Sequence, residues 1–206
     1  MANRVDGSYA GKILMSNSRP DHVDMRRRDR AVYDETWIES FLARAPVCVI
    51  ATAVNNQPFA NANTFVYDRE TKALYCHTAR TGTLRSNIEA NPAVCVIVFS
   101  MGRLLPADTA KELSVEYDSV VAYGRAGIVS DQAEMRSALE GLAKKYFPHL
   151  VPGEDYRALT ATEASQTTVY RIEIERWSGK RKVADRESPD AFHFGEREAG
   201  QDGPGS

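Results

Sequence analysis

At 206 residues, with 43% hydrophobic and 26% charged residues, the chain has the make-up of one soluble domain with a sizeable core. A formal net charge of -2 gives no general attraction to nucleic acid or to an anionic membrane, so neither is expected as a partner. The apolar runs are too short to span a bilayer, and the first residues lack the apolar stretch of a signal peptide, so a cytoplasmic protein is expected.

Residues 1–30 are polar and include the run Arg26, Arg27, Arg28, Asp29, Arg30. They read as a solvated arm, or as an arm that reaches across a partner subunit. Thr36 and Glu39 form a capping-box pattern ahead of Phe41 and Leu42 and predict a short helix. The apolar run 47–54 ends at the turn signal Asn55-Asn56. Residues 58–67 alternate, with Phe59, Asn61, Asn63 and Phe65 on one face and Ala60, Ala62, Thr64 and Val66 on the other. A turn at 68–72 and a strand at 73–77 complete an antiparallel meander. A helix is expected over 83–90, stopped by Asn91-Pro92, because a residue before proline avoids helical geometry.

Strands follow at 93–99 and 119–129, separated by a long loop at 101–111, with Gly124 and Gly127 marking bulges or close approaches. Asp131 and Glu134 cap a third helix whose stripe is Met135, Leu139, Leu142 and Tyr146, ending before Pro148. Residues 168–177 alternate cleanly, Tyr170, Ile172 and Ile174 against Arg171, Glu173 and Glu175. The stretch 183–206 is rich in Gly, Glu and Asp and reads as a disordered tail, leaving 31–182 as the domain. Cys48, Cys76 and Cys95 are odd in number, lack zinc-type spacing and fall in apolar segments, which predicts small core hydrophobes and no metal site. Six or seven strands with three helices predict a mainly β, α+β protein, an antiparallel barrel with helices plugging its ends.

The segment from Leu74 to Pro92 carries the chemistry. A strand ends at His77, a loop follows with Thr78, Arg80, Thr81 and Gly82, and a helix begins near Thr83 with Arg85 in its first turn. Free N–H groups at a helix start, a glycine that lets the backbone come close and two arginines suit a phosphate. The same residues also fit an ordinary strand-loop-helix junction with surface arginines.

The order "strand, His77 to Arg85, short helix, Asn91-Pro92, strand" resembles the pyridoxamine 5'-phosphate oxidase-like flavin-binding split barrels, nearest the nitroimidazole-reductase branch. The strand around Asn61 to Phe65, the segment 117–126, the Lys144-Lys145-Tyr146-Phe147-Pro148 helix end and the closing Trp177-Ser178-Gly179-Lys180 carry the likeness too, over roughly residues 25–182. Two departures stand out. Leu84 occupies a place where that branch often has lysine, with Arg85 the nearest cation, and Asn61 stands near where pyridoxamine phosphate oxidases carry arginine, so pyridoxamine phosphate is not expected as substrate.

The resemblance implies a six- to seven-stranded antiparallel split β-barrel that binds FMN as a homodimer, with cofactor sites at the subunit boundary. It implies that the flavin ring lies against Asn61, Asn63, Thr64 and Phe65, and that the phosphate meets Thr78, Arg80, Gly82, Thr83 and Arg85. His77 is then the catalytic candidate, near the phosphate or the ring; the other reading is a strand-end histidine satisfied by backbone. Trp177 and Lys180 would close the site, or else are a packed indole and a solvated lysine. The implied activity is FMN-dependent reduction or oxidation of a small molecule, such as the nitroaromatic reduction that gives nitroimidazole resistance, with NAD(P)H a candidate donor. The alternatives are a non-catalytic flavin-binding sensor or store, and a haem or deazaflavin binder on the same fold.

Overall fold

A computed structural model of the chain describes residues 21–22, 25–157, 159–184 and 188–196. Most of the expected arm and the end of the expected tail lie outside these residues. Nine strands occur among them: β1 (Asp21–His22), β2 (Ala31–Val32), β3 (Cys48–Val54), β4 (Gln57–Asn63), β5 (Val66–Asp68), β6 (Ala73–Ala79), β7 (Ala93–Leu105), β8 (Ser114–Ile128) and β9 (Thr167–Lys182). The α-helices are α1 (Glu35–Arg44), α2 (Thr83–Ala90), α3 (Gln132–Tyr146) and α4 (Ala161–Ser165). No helix among the described residues is long and apolar enough to cross a membrane.

The strands form one sheet in the order β4-β3-β7-β8-β9-β6-β5, with β1 and β2 also paired to β9. All pairings are antiparallel except that of β1 with β9. The mainly β, α+β class is as expected, but the barrel is not. The paired path ends at β4 on one side and β5 on the other, and these do not pair with each other, so the sheet is open.

The reason is local. Residues 58–67, expected as one strand, break at Thr64 and Phe65. The Phe65 N–H donates to the Tyr146 hydroxyl at 3.0 Å, and the Phe65 carbonyl accepts from Lys145 Nζ at 2.9 Å. The same hydroxyl lies 3.0 Å from the Phe65 carbonyl and 2.7 Å from that of Pro46. A residue has one backbone donor and one acceptor site to commit. Those of Phe65 are committed to α3, so the chain leaves the ladder between β4 and β5.

β9 is the spine. Along one edge it pairs with β8; along the other it pairs first with β6, then with β1 and β2. Its inward residues are Tyr170, Ile172 and Ile174, but then Trp177, which breaks the alternation. The register shows why: Ile174 faces Gly124 and Arg176 faces Tyr123, so Glu175 is an extra residue in a β-bulge. A Cβ on Gly124 would lie 1.9 Å from the Glu173 carbonyl oxygen, so only glycine fits opposite the bulge. Gly127, expected to be a similar point, has nothing within 4 Å of such a Cβ.

Between the sheet and α1 and α2 lies the main core, including Ile38, Phe41, Ile50, Phe65, Leu84, Val96, Tyr170 and Trp177. A second cluster, Ala73, Tyr75, Val129, Ala138 and Val169, packs on the other face beneath α3. Each face of β6 therefore meets a core, which explains its unbroken burial from Ala73 to Cys76. Cys48 and Cys76 are buried in the main core, and burial pushes the Cys48 thiol up to about 12.

Several ends of elements differ from expectation: β8 begins at Ser114 and β9 runs on to Lys182. The cap of α1 is Asp34, whose carboxylate accepts from the Thr36 and Trp37 N–H groups, so Thr36 stands inside the helix and does not cap it. The 101–111 segment begins as strand, since β7 runs to Leu105, with a register shift between Met101 and Leu104. Within the expected tail, Phe192 exchanges backbone hydrogen bonds with Leu104, and the Glu116 carboxylate accepts from the Ala184 N–H.

The bulge gives a paired prediction. Gly124→Ala should lower the unfolding free energy by on the order of 2–4 kcal/mol, while Gly127→Ala should change it by less than about 0.5 kcal/mol, apart from a small propensity effect. Urea denaturation of both variants checks this, and equal losses would mean that the bulge tolerates a side chain.

Candidate functional site

The strand β6 ends at Ala79, and the chain enters α2 through Arg80, Thr81 and Gly82. Gly82 occupies the cap position with φ +144°, a backbone region that side-chain-bearing residues rarely adopt. No side chain caps α2, and Ser86 N–H closes the first turn on the Gly82 carbonyl at 3.1 Å. The N–H groups at the start of α2 therefore point outward at the positive end of the helix, as an anion site requires. Thr83 is exposed there, and Arg80 is exposed with no polar partner among the described residues.

Arg85 is placed differently from Arg80. Its Nη1 donates to the Arg80 carbonyl at 3.1 Å and to Thr168 Oγ1 at 3.0 Å, and its Nε donates to Glu89 at 2.9 Å. Leu84, where the resemblance expects lysine, is buried with Ile88 one turn on, so that position serves the core.

On the strand side, the His77 carbonyl accepts from Asn63 Nδ2 at 3.1 Å, and the same amide lies 3.5 Å from Asn61 Oδ1. This bond joins β4 and β6, which stand far apart in the order of the sheet. Asn63, with Asn61 beside it, thus meets the backbone of His77, whose ring shares the face of β6 that carries Ala73 and Tyr75. Thr78 turns inward and shares a 3.0 Å hydrogen bond with the Tyr170 hydroxyl. The His77 Nδ1 atom is buried with no hydrogen-bond partner. A buried polar atom without a partner is uncommon and costly, so a ligand with a polar edge would fit it. Burial alone pushes the ring's pKa below 6.5, which keeps the imidazole neutral near pH 7.

The remaining candidates separate. Phe65 is fully buried, and its backbone is held by α3, so it supports the strand and offers no surface; Thr64 beside it is exposed. Trp177 is 0% exposed within the main core, and Lys180 lies on β9 opposite Ser119 and Ala31. The structure does not bring these two to the His77 cluster, which meets β9 at Thr168, Val169 and Tyr170. Sequence reasoning missed Thr168, which lies 83 residues from Arg85 and carries no local signal. The Arg85–Glu89 pair, at helical spacing, was readable. Lys145, whose ammonium lies over the Phe65 ring at 3.7 Å, is pushed down to about 8 by burial. A groove of about 420 Å³ lies under α3, between Val66, Tyr75, Glu134 and Arg171, and none of the candidate residues lines it.

The cluster therefore offers uncapped helix N–H groups, one solvent-facing guanidinium, two carboxamides and a neutral imidazole with an unused nitrogen. These fit a ligand with a phosphate at one end and a flat hydrogen-bonding ring at the other.

The histidine gives a pH prediction. With the folded pKa below the unfolded 6.5, stability is fully present above pH 6.5 and is lost as the pH falls through the folded value. An NMR titration should place His77 below 6.5, and His77→Gln should flatten the acid side of the stability profile. An unshifted titration would show that the ring is solvated.

The family model for pyridoxamine 5'-phosphate oxidase matches residues 34–181. No curated protein matches the sequence. Among solved structures, the flavocytochrome Anf3 from Azotobacter vinelandii is similar with a TM-score of 0.69 at 22% identity, covering 91% of this chain and 93% of that one. The FAD and haem binding protein from Mycobacterium smegmatis is similar with a TM-score of 0.68 at 18% identity, covering 85% and 94%. A candidate 5-nitroimidazole antibiotic resistance protein from Bacteroides thetaiotaomicron gives 0.61 at 20% identity, covering 73% and 86%. At such identities these likenesses show a shared fold.

Proposed function

Because this chain belongs to the pyridoxamine 5'-phosphate oxidase family, we propose that it is a flavin-binding protein that takes FMN with its phosphate at the start of α2. The observation that carries this reading is the β6–α2 turn: Gly82 at positive φ, uncapped N–H groups and solvent-facing Arg80. Arg80 and the turn's N–H groups would hold the phosphate, and the carboxamides of Asn61 and Asn63 and the neutral His77 would meet the ring. Bound FMN supplies hydride or single-electron transfer. The chain's own part is to bind, to orient, and at His77 Nδ1 to offer an acceptor to a ring N–H.

FAD carries the same ribityl phosphate, so the same turn would serve it; chromatography of the flavin released on denaturation separates the two. FMN should bind more tightly than riboflavin by about ten- to a hundredfold, since charge-assisted hydrogen bonds contribute about 1.5–3 kcal/mol. Fluorescence titration with both ligands tests this, and equal affinities would place the phosphate elsewhere. Anaerobic addition of NADPH or NADH, followed by a nitroaromatic acceptor, separates an oxidoreductase from a flavin store or sensor.

Haem is the second reading. It is favoured by the partnerless, buried His77 nitrogen and by similarity to a flavocytochrome and to a FAD and haem binding protein. A Soret band in the absorption spectrum of the purified protein, in place of the flavin bands, would select it.

The proposed assembly is a homodimer. The outer face of β3, β7 and β8 carries Val49, Ile97 and Val121 in register, with Phe99 and Met101 further along β7. Ile97, Phe99 and Met101 are 39%, 53% and 44% exposed, an apolar patch of the kind that marks an interface. The site is also shallow on one chain, with Thr64, Arg80 and Thr83 all exposed, and a second copy would supply the missing wall. Ile97→Asp should therefore yield a monomer by light scattering and weaken flavin retention. A wild type that is monomeric at micromolar concentration would remove the assembly.

A further inference from the structure

We propose that Arg85 and Thr168 form a brace that sets the shape of the 79–82 turn, and that Arg80 is the arginine that meets the ligand's anion. This rests on the phosphate reading above and assigns different work to its two arginines.

A guanidinium has five N–H donors and binds a phosphate best through two parallel ones. Arg85 commits Nη1 to both the Arg80 carbonyl and Thr168 Oγ1, and Nε to Glu89. Each paired edge of the fork includes Nε or Nη1, so neither edge has both of its donors available. Only Nη2 has no acceptor among the described residues, and one donor group cannot make the paired contact. Glu89 also offsets the charge that would draw a phosphate.

The brace acts where other restraints stop. The β6–β9 ladder ends at Ala79 opposite Thr167, and Thr78 is tied to Tyr170 just before that end. Arg85 reaches back to the next carbonyl, that of Arg80, and carries the restraint one residue past the ladder. Its anchor is rigid: Thr168 is 3% exposed, beside fully buried Val169 and Tyr170. No side chain packs Gly82 itself, since a Cβ placed there would meet no atom within 4 Å; among the described residues its carbonyl is held only from within α2, by Ser86. Without the brace, the glycine would be free to leave φ +144°, and the N–H groups would no longer converge.

The test uses the ligand-free full chain first. Amide hydrogen exchange at Ser86, whose N–H bonds the Gly82 carbonyl, should quicken by about tenfold or more in Arg85→Ala and in Thr168→Val, and stay unchanged in Arg80→Ala. Thr168→Val keeps the side-chain shape and both guanidinium groups, so it isolates the brace if Arg85→Ala folds poorly. Arg85→Lys, which keeps the charge but cannot span two acceptors, should not restore the slow exchange. Titration follows, with FMN and riboflavin at low and high salt. Arg80→Ala should lose about ten- to a hundredfold in FMN affinity together with most of its salt dependence. Thr168→Val should lose less than that, and riboflavin should be unaffected throughout. Unchanged exchange in Arg85→Ala and Thr168→Val would overturn the brace. So would a selective loss of FMN in Arg85→Ala with none in Arg80→Ala. If wild type binds neither flavin, the flavin reading fails, while the exchange data still decide the brace.

Discussion

Much of this structure depends on what the backbone of Phe65 binds. Its N–H and carbonyl are held by Tyr146 and Lys145 at the end of α3. Because those groups are unavailable to a neighbouring strand, β4 and β5 diverge and the sheet stays open between them. The two sides still meet, but through a single side-chain bond from Asn63 to the His77 carbonyl. A ladder would have filled this place with backbone pairs. One carboxamide fills it instead, with Asn61 beside it. The gap in the sheet and the candidate site have the same cause.

The readable parts of the sequence were those governed by neighbours in the chain. The bounds of α2 follow from Gly82 at one end and Asn91-Pro92 at the other, and they appear as expected at Thr83 and Ala90. Asp131 caps α3 through the Glu134 N–H, again a local signal. Where two local signals competed, the choice was wrong: Asp34 and Thr36 both suit a cap, and the carboxylate took it. The split at Phe65 was illegible because its partners lie about 80 residues away. Trp177 was assigned to the site on a resemblance, yet the bulge at Glu175 turns it into the core, and that bulge depends on Gly124 on another strand. Of the candidate site, the turn and its two arginines were legible, while the bond from Arg85 to Thr168 was not.

Buried polar groups cluster on the elements that carry this site, and several are answered by specific partners. Lys145 meets two carbonyls and an aromatic face, Thr168 meets a guanidinium, and Thr78 meets a phenol. The His77 nitrogen, like Arg171 Nε on β9, is buried without a hydrogen-bond partner among the described residues. Such networks cost much when half satisfied, so an unanswered nitrogen is a place where a ligand's polar edge would fit.

The bulge opposite Gly124 also divides β9 into two phases. Before Glu175, even-numbered residues face the core; after it, odd-numbered ones do, so Trp177 and Gly179 point inward. The strand thus counts its residues. Pairing Glu175 into the ladder, in place of bulging it out, would shift every later residue by one place, turning the indole toward solvent and a neighbour into the core. The bulge at this point therefore decides which side chains the core receives. The tip between β7 and β8, where no ladder continues, can gain or lose residues without moving anything else. A family of such chains would be expected to vary in length at that tip and to keep the phase of β9.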